Sequence, residues 1–220
     1  MAMMPSMASA IQELSFFRYS IAAARTTVLA TVAEHSAPGE KFEKDRNIGR
    51  ALAMQEGKVV GSGEDGHLFT YSPGDANVHK LAAVPSVPGR EPYDRVDAWC
   101  NGPNGILYGG TSDGYLFRLK PDGTLANLGK PLNQYRIRGL VRAHNGKLFG
   151  AGGDDDEMAR LFSYDPGSGV YEVLGFIDVN RRPYYTWQAY VIDAMAIGKD
   201  GTVYLGQSER RSLLYVYYPE

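Results

Sequence analysis

The residues that could do chemistry in this chain fall into two patterns. The first is the segment Asn180-Arg181-Arg182-Pro183-Tyr184-Tyr185-Thr186-Trp187-Gln188-Ala189-Tyr190, which packs four aromatics and two arginines into eleven residues. Aromatic faces stack on the C–H faces of sugars, and a guanidinium fork holds a carboxylate or sulfate through two hydrogen bonds. Cleaving a uronate by elimination needs these types together: a cation against the carboxylate, and a Tyr or His to move the C5 proton. Arg181, Arg182 and Trp187 are therefore candidate substrate binders, and Tyr184 and Tyr185 candidate catalytic groups. Aromatics that plug an interface between structural units would look the same. The second pattern appears when four apolar strands are aligned: Arg50-Ala51-Leu52, Asp97-Ala98-Trp99, Arg138-Gly139-Leu140 and Asp193-Ala194-Met195. The leading position reads Arg50, Asp97, Arg138, Asp193, and a small residue follows each time. Two guanidiniums and two carboxylates facing one ligand suit an acidic, hydroxyl-rich molecule. A ring of salt bridges between neighbouring units would use the same residues.

Weaker signals lie elsewhere. The segment Pro85 to Arg95 offers Arg90, Tyr93 and Arg95. His67 opens an apolar strand on the same expected face and is the one histidine placed for catalysis. His35, His79 and His144 are scattered, and no pair has the spacing of a helical zinc site. The run Gly153-Asp154-Asp155-Asp156-Glu157 supplies oxygen ligands, and a calcium ion at Asp154, Asp155 and Asp156 is one reading of it. The spacing is not that of an EF-hand, and a solvated acidic loop is the better reading. No other metal or cofactor is expected. The single Cys100 lies in an apolar strand pattern, where a free thiol behaves as a small hydrophobe. There is no Gly-x-Ser-x-Gly elbow, phosphate loop or dinucleotide fingerprint.

The elements that carry these residues repeat. Tight turns fall at Glu56-Gly57, Asn104-Gly105, Asn145-Gly146 and Asp200-Gly201. Such pairs between apolar runs mark hairpins, with positive φ expected at both residues of a type I′ turn. Second strands end in Gly: Val59-Val60-Gly61, Leu107-Tyr108-Gly109, Leu148-Phe149-Gly150 and Val203-Tyr204-Leu205-Gly206. Third strands read Leu68-Phe69-Thr70-Tyr71, Leu116-Phe117-Arg118-Leu119, Leu161-Phe162-Ser163-Tyr164 and Leu214-Tyr215-Val216-Tyr217, each with a proline two residues on. A further copy is Phe16-Phe17-Arg18-Tyr19. From Phe17 through Phe69, Phe117 and Phe162 to Tyr215 the steps are 52, 48, 45 and 53 residues. Four strands in such a period make a propeller blade. The expectation is an all-β chain of about four four-stranded blades: a tail over 1–13, a partial blade over 14–45, blades over 46–85, 93–131 and 135–178, and a closing blade over 188–220. The N-terminal strands either complete a ring of four or belong to a larger ring, and the surplus third strand favours the larger ring. Open blades should pair with a second copy, giving a homodimer, or with missing blades.

The phrases at 109–117 (Gly-Gly-Thr-Ser-Asp-Gly-Tyr-Leu-Phe), 161–169 (Leu-Phe-Ser-Tyr-Asp-Pro-Gly-Ser-Gly) and Leu-Gly at 128–129 and 174–175 resemble the repeats of kelch-like bacterial propellers, several of which are polysaccharide lyases that cleave ulvan. The segment 193–219 is similar to their closing blade, and the likeness runs from about Gly49 to the end. It implies a polysaccharide or oligosaccharide ligand and an extracellular or periplasmic setting, and it transfers no catalytic motif residue by residue. Composition removes other classes. Formal net charge is −2 with no basic stripe, against nucleic acid. No run approaches the roughly 18 apolar residues of a membrane span, and Met1 to Ala10 has no signal-peptide pattern. The reading is a carbohydrate-active propeller that binds, and by elimination cleaves, an acidic polysaccharide. The alternative is a non-enzymatic propeller that presents its face to a protein.

Overall fold

The computed structural model describes residues 14–33, 51–63, 66–72, 75, 78–181, 185–208 and 212–219. It opens with a hairpin, β1 (Leu14–Ser20) and β2 (Arg25–Ala33). Three four-stranded antiparallel sheets follow in chain order. The first holds β3 (Ala53–Gln55), β4 (Lys58–Ser62), β5 (His67–Tyr71) and β6 (His79–Ala83). The second holds β7 (Val96–Asn101), β8 (Leu107–Thr111), β9 (Leu116–Leu119) and β10 (Leu125–Gly129). The third holds β11 (Ile137–Arg142), β12 (Leu148–Asp154), β13 (Glu157–Asp165) and β14 (Val170–Phe176). A second hairpin, β15 (Asp178–Arg181) and β16 (Tyr185–Gln188), leads to a three-stranded sheet of β17 (Ile192–Ile197), β18 (Val203–Gln207) and β19 (Leu214–Tyr217). These four sheets are blades A to D. The first strands of B, C and D lie side by side, β7 against β11 and β11 against β17, as blades around an axis require. No helix among the described residues is long and apolar enough to cross a membrane.

The recurring Leu-Phe of the third strands has a packing reason. Successive strand residues point to opposite faces, and blades B and C are covered on both. On β9, Leu116 enters the core between B and C while Phe117 enters the core between A and B. On β13, Leu161 serves the C–D core and Phe162 the B–C core. The glycine expected to end the second strand lies inside β8 and β12, which run on to Thr111 and Asp154, and it is the other half of this contact. Gly109 pairs with Phe117 and Gly150 with Phe162, and a Cβ on either glycine would overlap the partner's ring. Blade D departs from the pattern, with Tyr215 opposite Leu205.

The turns divide into two kinds where the sequence predicts one. Glu56-Gly57 (φ 50 and 80) and Asn104-Gly105 (φ 54 and 70) have the positive pair of a type I′ turn. At Asn145-Gly146 and Asp200-Gly201 only the glycine is positive, and the chain makes a three-residue loop with a bulge instead. There the Asn145 and Asp200 side chains accept hydrogen bonds from the Lys147 and Thr202 amides, at 3.0 and 3.1 Å, which rewards the side chain for staying in the ordinary region. Another departure is that β15 and β16 pair, with Val179 opposite Trp187, where the sequence suggests an open loop.

Candidate functional site

Each of blades B, C and D breaks its register at one place between its first two strands. Val96 pairs with Thr111 and Ala98 with Gly110, so Asp97 is the extra residue. Ile137 pairs with Gly152 and Gly139 with Ala151, which leaves Arg138 over. Ile192 pairs with Gln207 and Ala194 with Gly206, which leaves Asp193 over. A bulge re-aims the side chain of its extra residue. The three leading charged residues found by strand alignment are thus the three bulge residues. Arg50, their counterpart in blade A, lies outside the described residues.

The bulges assemble one row of alternating charge. Arg95 Nε stands 3.5 Å from Asp97 Oδ1, and Arg136 Nε donates to Asp97 Oδ2 at 2.8 Å. Arg136 Nη1 also reaches Asp154 Oδ2 at 3.8 Å. Arg138 donates through Nη2 to Asp154 Oδ1 at 2.6 Å and through Nη1 to Asp193 Oδ1 at 3.0 Å. The Ser208 hydroxyl closes the row by donating to Asp193 Oδ2 at 2.6 Å. Among the described residues, three guanidiniums meet three carboxylates across the B–C and C–D boundaries, so the row is neutral and ties blades together. Its burial is graded. The Asp97 side chain is 1% exposed and Arg138 8%, while Asp154 and Asp193 keep 35% and 33%. Burial opposes the Arg138 charge, but the hydrogen bond to Asp193 and the field of Asp154 outweigh it, so its pKa lies above the ordinary value.

Arg136 and Asp154 are the members that sequence reasoning missed. Arg136 takes a left-handed φ of 59°, held by its amide bonding Ser112 O at 3.0 Å, which turns its side chain to Asp97. Asp154 belongs to the acidic run, but it ends β12 and its carboxylate is engaged by two arginines. Among the described residues no group of three or more His, Cys, Asp and Glu is placed to hold a metal ion.

Beside the row lies a buried carboxylate pair. Asp94 is 1% exposed, and its Oδ1 accepts from the Ser112 hydroxyl (2.6 Å), the Asp113 amide (3.0 Å) and the Arg95 amide (2.9 Å). Its Oδ2 is buried without a hydrogen-bond partner among the described residues. Asp113 is better served, by the Val87 amide and by Arg90 Nε, both at 2.9 Å. Burial, with the Asp113 charge adding to it against the Ser112 hydrogen bond, raises the Asp94 pKa from 3.8 to about 6. A raised carboxyl binds its proton more tightly in the folded state. Its stabilising effect is therefore full below 3.8 and lost as pH rises through about 6. Asp94→Asn keeps the accepting oxygen without the charge. It should stabilise the protein at about pH 8 by about 2–3 kcal/mol and by less as pH falls towards about 4. Melting curves of both proteins across that range check this, and a difference independent of pH would contradict it.

The remaining candidates are spread. His67 begins β5 in blade A, pairs with Ala83, and takes no part in the row. Trp187, on β16, is half-buried and packs against the C–D core. Arg181 and Tyr185 are paired in register across β15 and β16, while Arg182 and Tyr184 lie outside the described residues. Cys100 is half-buried, and burial pushes its thiol up to about 11, away from nucleophilic use.

No protein-family model and no curated protein sequence matches the chain. Solved structures do match it. The computationally designed Ika4 protein superposes with a TM-score of 0.54 at 18% identity, over 87% of this chain and 98% of its own. The WD40 β-propeller domain of Doa1 gives 0.54 at 13% identity, over 88% and 55%. A catalytically inactive virginiamycin B lyase from Staphylococcus aureus, solved with quinupristin, gives 0.58 at 11% identity, over 91% and 61%. The chain spans a little over half the length of the latter two proteins. The kelch-type and ulvan-lyase likeness has no sequence match behind it, whereas blade architecture and structural neighbours agree on the coarser point: this is an all-β chain with the β-propeller fold.

Proposed function

We propose that the chain is a carbohydrate-binding propeller that takes an acidic saccharide over the bulge row of blades B, C and D. The observation that carries this reading is the graded burial of that row. Arg138 is fixed from both sides, while Asp154, Asp193 and the Ser208 hydroxyl keep polar surface beside it. Partly exposed carboxylates accept hydrogen bonds from sugar hydroxyls. Ion pairs already hold them in place, so binding has little side-chain ordering left to do. A uronate that displaced Asp193 would meet the Arg138 guanidinium. Cleavage by elimination is the stronger form of the reading and would require Tyr184, Tyr185 or His67 as the proton-transfer group.

A thermal-shift screen against acidic and neutral polysaccharides, with ultraviolet absorbance followed for unsaturated uronate, tests both forms. A ligand at about 100 times its Kd adds about 2.7 kcal/mol of stability. A shift with acidic glycans supports binding, and growing absorbance adds catalysis. No shift with any glycan from folded protein removes the reading. A second reading, a scaffold for a protein partner, is favoured by one feature: Val170, Val173 and Phe176 are exposed along β14, the outer strand of blade C. Loss of partner binding in a Val173→Asp variant, with the melting temperature kept, would support it.

A further inference from the structure

Tyr135 is unlike the aromatics that fill the cores of blades B and C. Tyr108, Phe117, Phe149 and Phe162 are buried between blades, whereas Tyr135 is 41% exposed. It sits in the connector between β10 and β11, on the residue before Arg136 of the bulge row. Its backbone is held at both ends: the amide donates to Glu157 Oε2 at 2.7 Å, and the carbonyl accepts from the Gly153 amide at 3.0 Å. The ring is thus presented to solvent from a fixed chain.

Two cations lie over its ring. Lys130 Nζ is 4.5 Å from the ring centroid and Arg90 Cζ 6.0 Å from it. Arg90 is also held independently of the ring. Arg90 Nε is anchored on the buried carboxylate of Asp113 at 2.9 Å, while 53% of its side chain stays exposed. The Lys130 stem runs over Gly114, where a Cβ would stand 3.0 Å from Lys130 Cε and 2.5 Å from the Gln134 carbonyl. Gly114 therefore leaves room for both. Asp113 is 0% exposed, so the Arg90 head, not its partner carboxylate, meets solvent beside Lys130 over the ring.

We infer that Tyr135, Lys130 and Arg90 form a subsite for the anionic group of a saccharide, its carboxylate or sulfate held by the two cations that lie over the Tyr135 ring. This rests on the carbohydrate reading above and goes beyond it by placing the selection for charge away from the axial row. Tyr135 and Arg136 are consecutive, so an oligosaccharide held at this subsite has the row one residue further along the chain.

Calorimetric titration of the full chain with an oligouronate, a sulfated oligosaccharide and a neutral oligosaccharide of equal length tests the inference. Wild-type protein should bind at least one acidic ligand. Tyr135→Ala should weaken that binding about tenfold, and Tyr135→Phe should keep it. Lys130→Gln should weaken the acidic ligand and leave the neutral one unchanged, and the salt dependence of the acidic ligand should flatten. The oligouronate and the sulfated ligand report which anion is preferred. Melting temperatures within a few degrees of wild type show that the variants remain folded, and Lys130→Gln serves if Tyr135→Ala does not fold. Acidic ligands bound equally by wild type, Tyr135→Ala and Lys130→Gln would overturn the subsite and leave the carbohydrate reading standing. No binding of any saccharide by wild type would overturn both.

Discussion

Arg138→Met should cost about 3 kcal/mol of folding stability. The Met side chain replaces most of the stem volume, so the loss is electrostatic. Arg138 is 8% exposed and holds Asp154 at 2.6 Å and Asp193 at 3.0 Å. Removing it takes this cation from Asp193 in blade D and leaves Asp154 in blade C with the longer Arg136 contact. Removing one partner of a buried pair costs about 3–5 kcal/mol, because the other charge stays behind uncompensated. Asp154 and Asp193 are each about a third exposed, so water recovers part of the loss, and the lower end of that range applies. Arg138→Lys should also destabilise, since one ammonium cannot bridge two carboxylates as the planar fork does. Urea unfolding at neutral pH measures this. Adding Asp193→Asn to Arg138→Met should restore part of the stability, which a double-mutant cycle reads as coupling. A loss below about 1 kcal/mol, with no coupling, would mean that the row is an ordinary surface ion-pair set.

Phe117→Ala should be the most damaging core change, at about 3–5 kcal/mol. Phe117 is fully buried between blades A and B, edge-on to Trp99 with ring centroids 5.4 Å apart. Its ring lies over Gly109, which has no side chain to move into the space. The cavity therefore stays open, and the cost lies towards the top of the large-to-small range. Gly109→Ala approaches the same contact from the other side. Its Cβ would overlap the ring, and overpacking costs about 1–3 kcal/mol. The pair should be non-additive, because the methyl introduced by Gly109→Ala fits only once the ring is gone. Chemical unfolding of the two single variants and the double variant measures it. A Phe117→Ala loss under about 1 kcal/mol would show that this interface relaxes freely and that the Gly–Phe repeat is not what sets blade packing.

What the sequence makes legible follows the range of the interactions. Turn glycines and the paired Leu-Phe of the third strands are local or one-strand-away features, and in blades B and C the pair serves the cores on the two faces. Alignment of the repeats also finds Asp97, Arg138 and Asp193, since a bulge falls at the same register in each blade. Arg136 and Asp154 escape because their roles depend on a left-handed backbone and on the distance between blades, neither of which is written in residue spacing. Trp187 shows the opposite limit. Its type suits a sugar, but pairing of β15 with β16 turns it towards the C–D core. Tyr135 carries no local signal, and only the connector geometry brings Lys130 and Arg90 to its ring.

Hydrogen–deuterium exchange of the full chain with and without an acidic oligosaccharide tests the central claim, that the axial bulge row is the ligand seat. Binding should slow amide exchange at 133–140, 190–195 and 205–208, with β14 and β19 unchanged. Slowing confined to β14 and β19, or no slowing in the three axial segments while the ligand is bound, would contradict it.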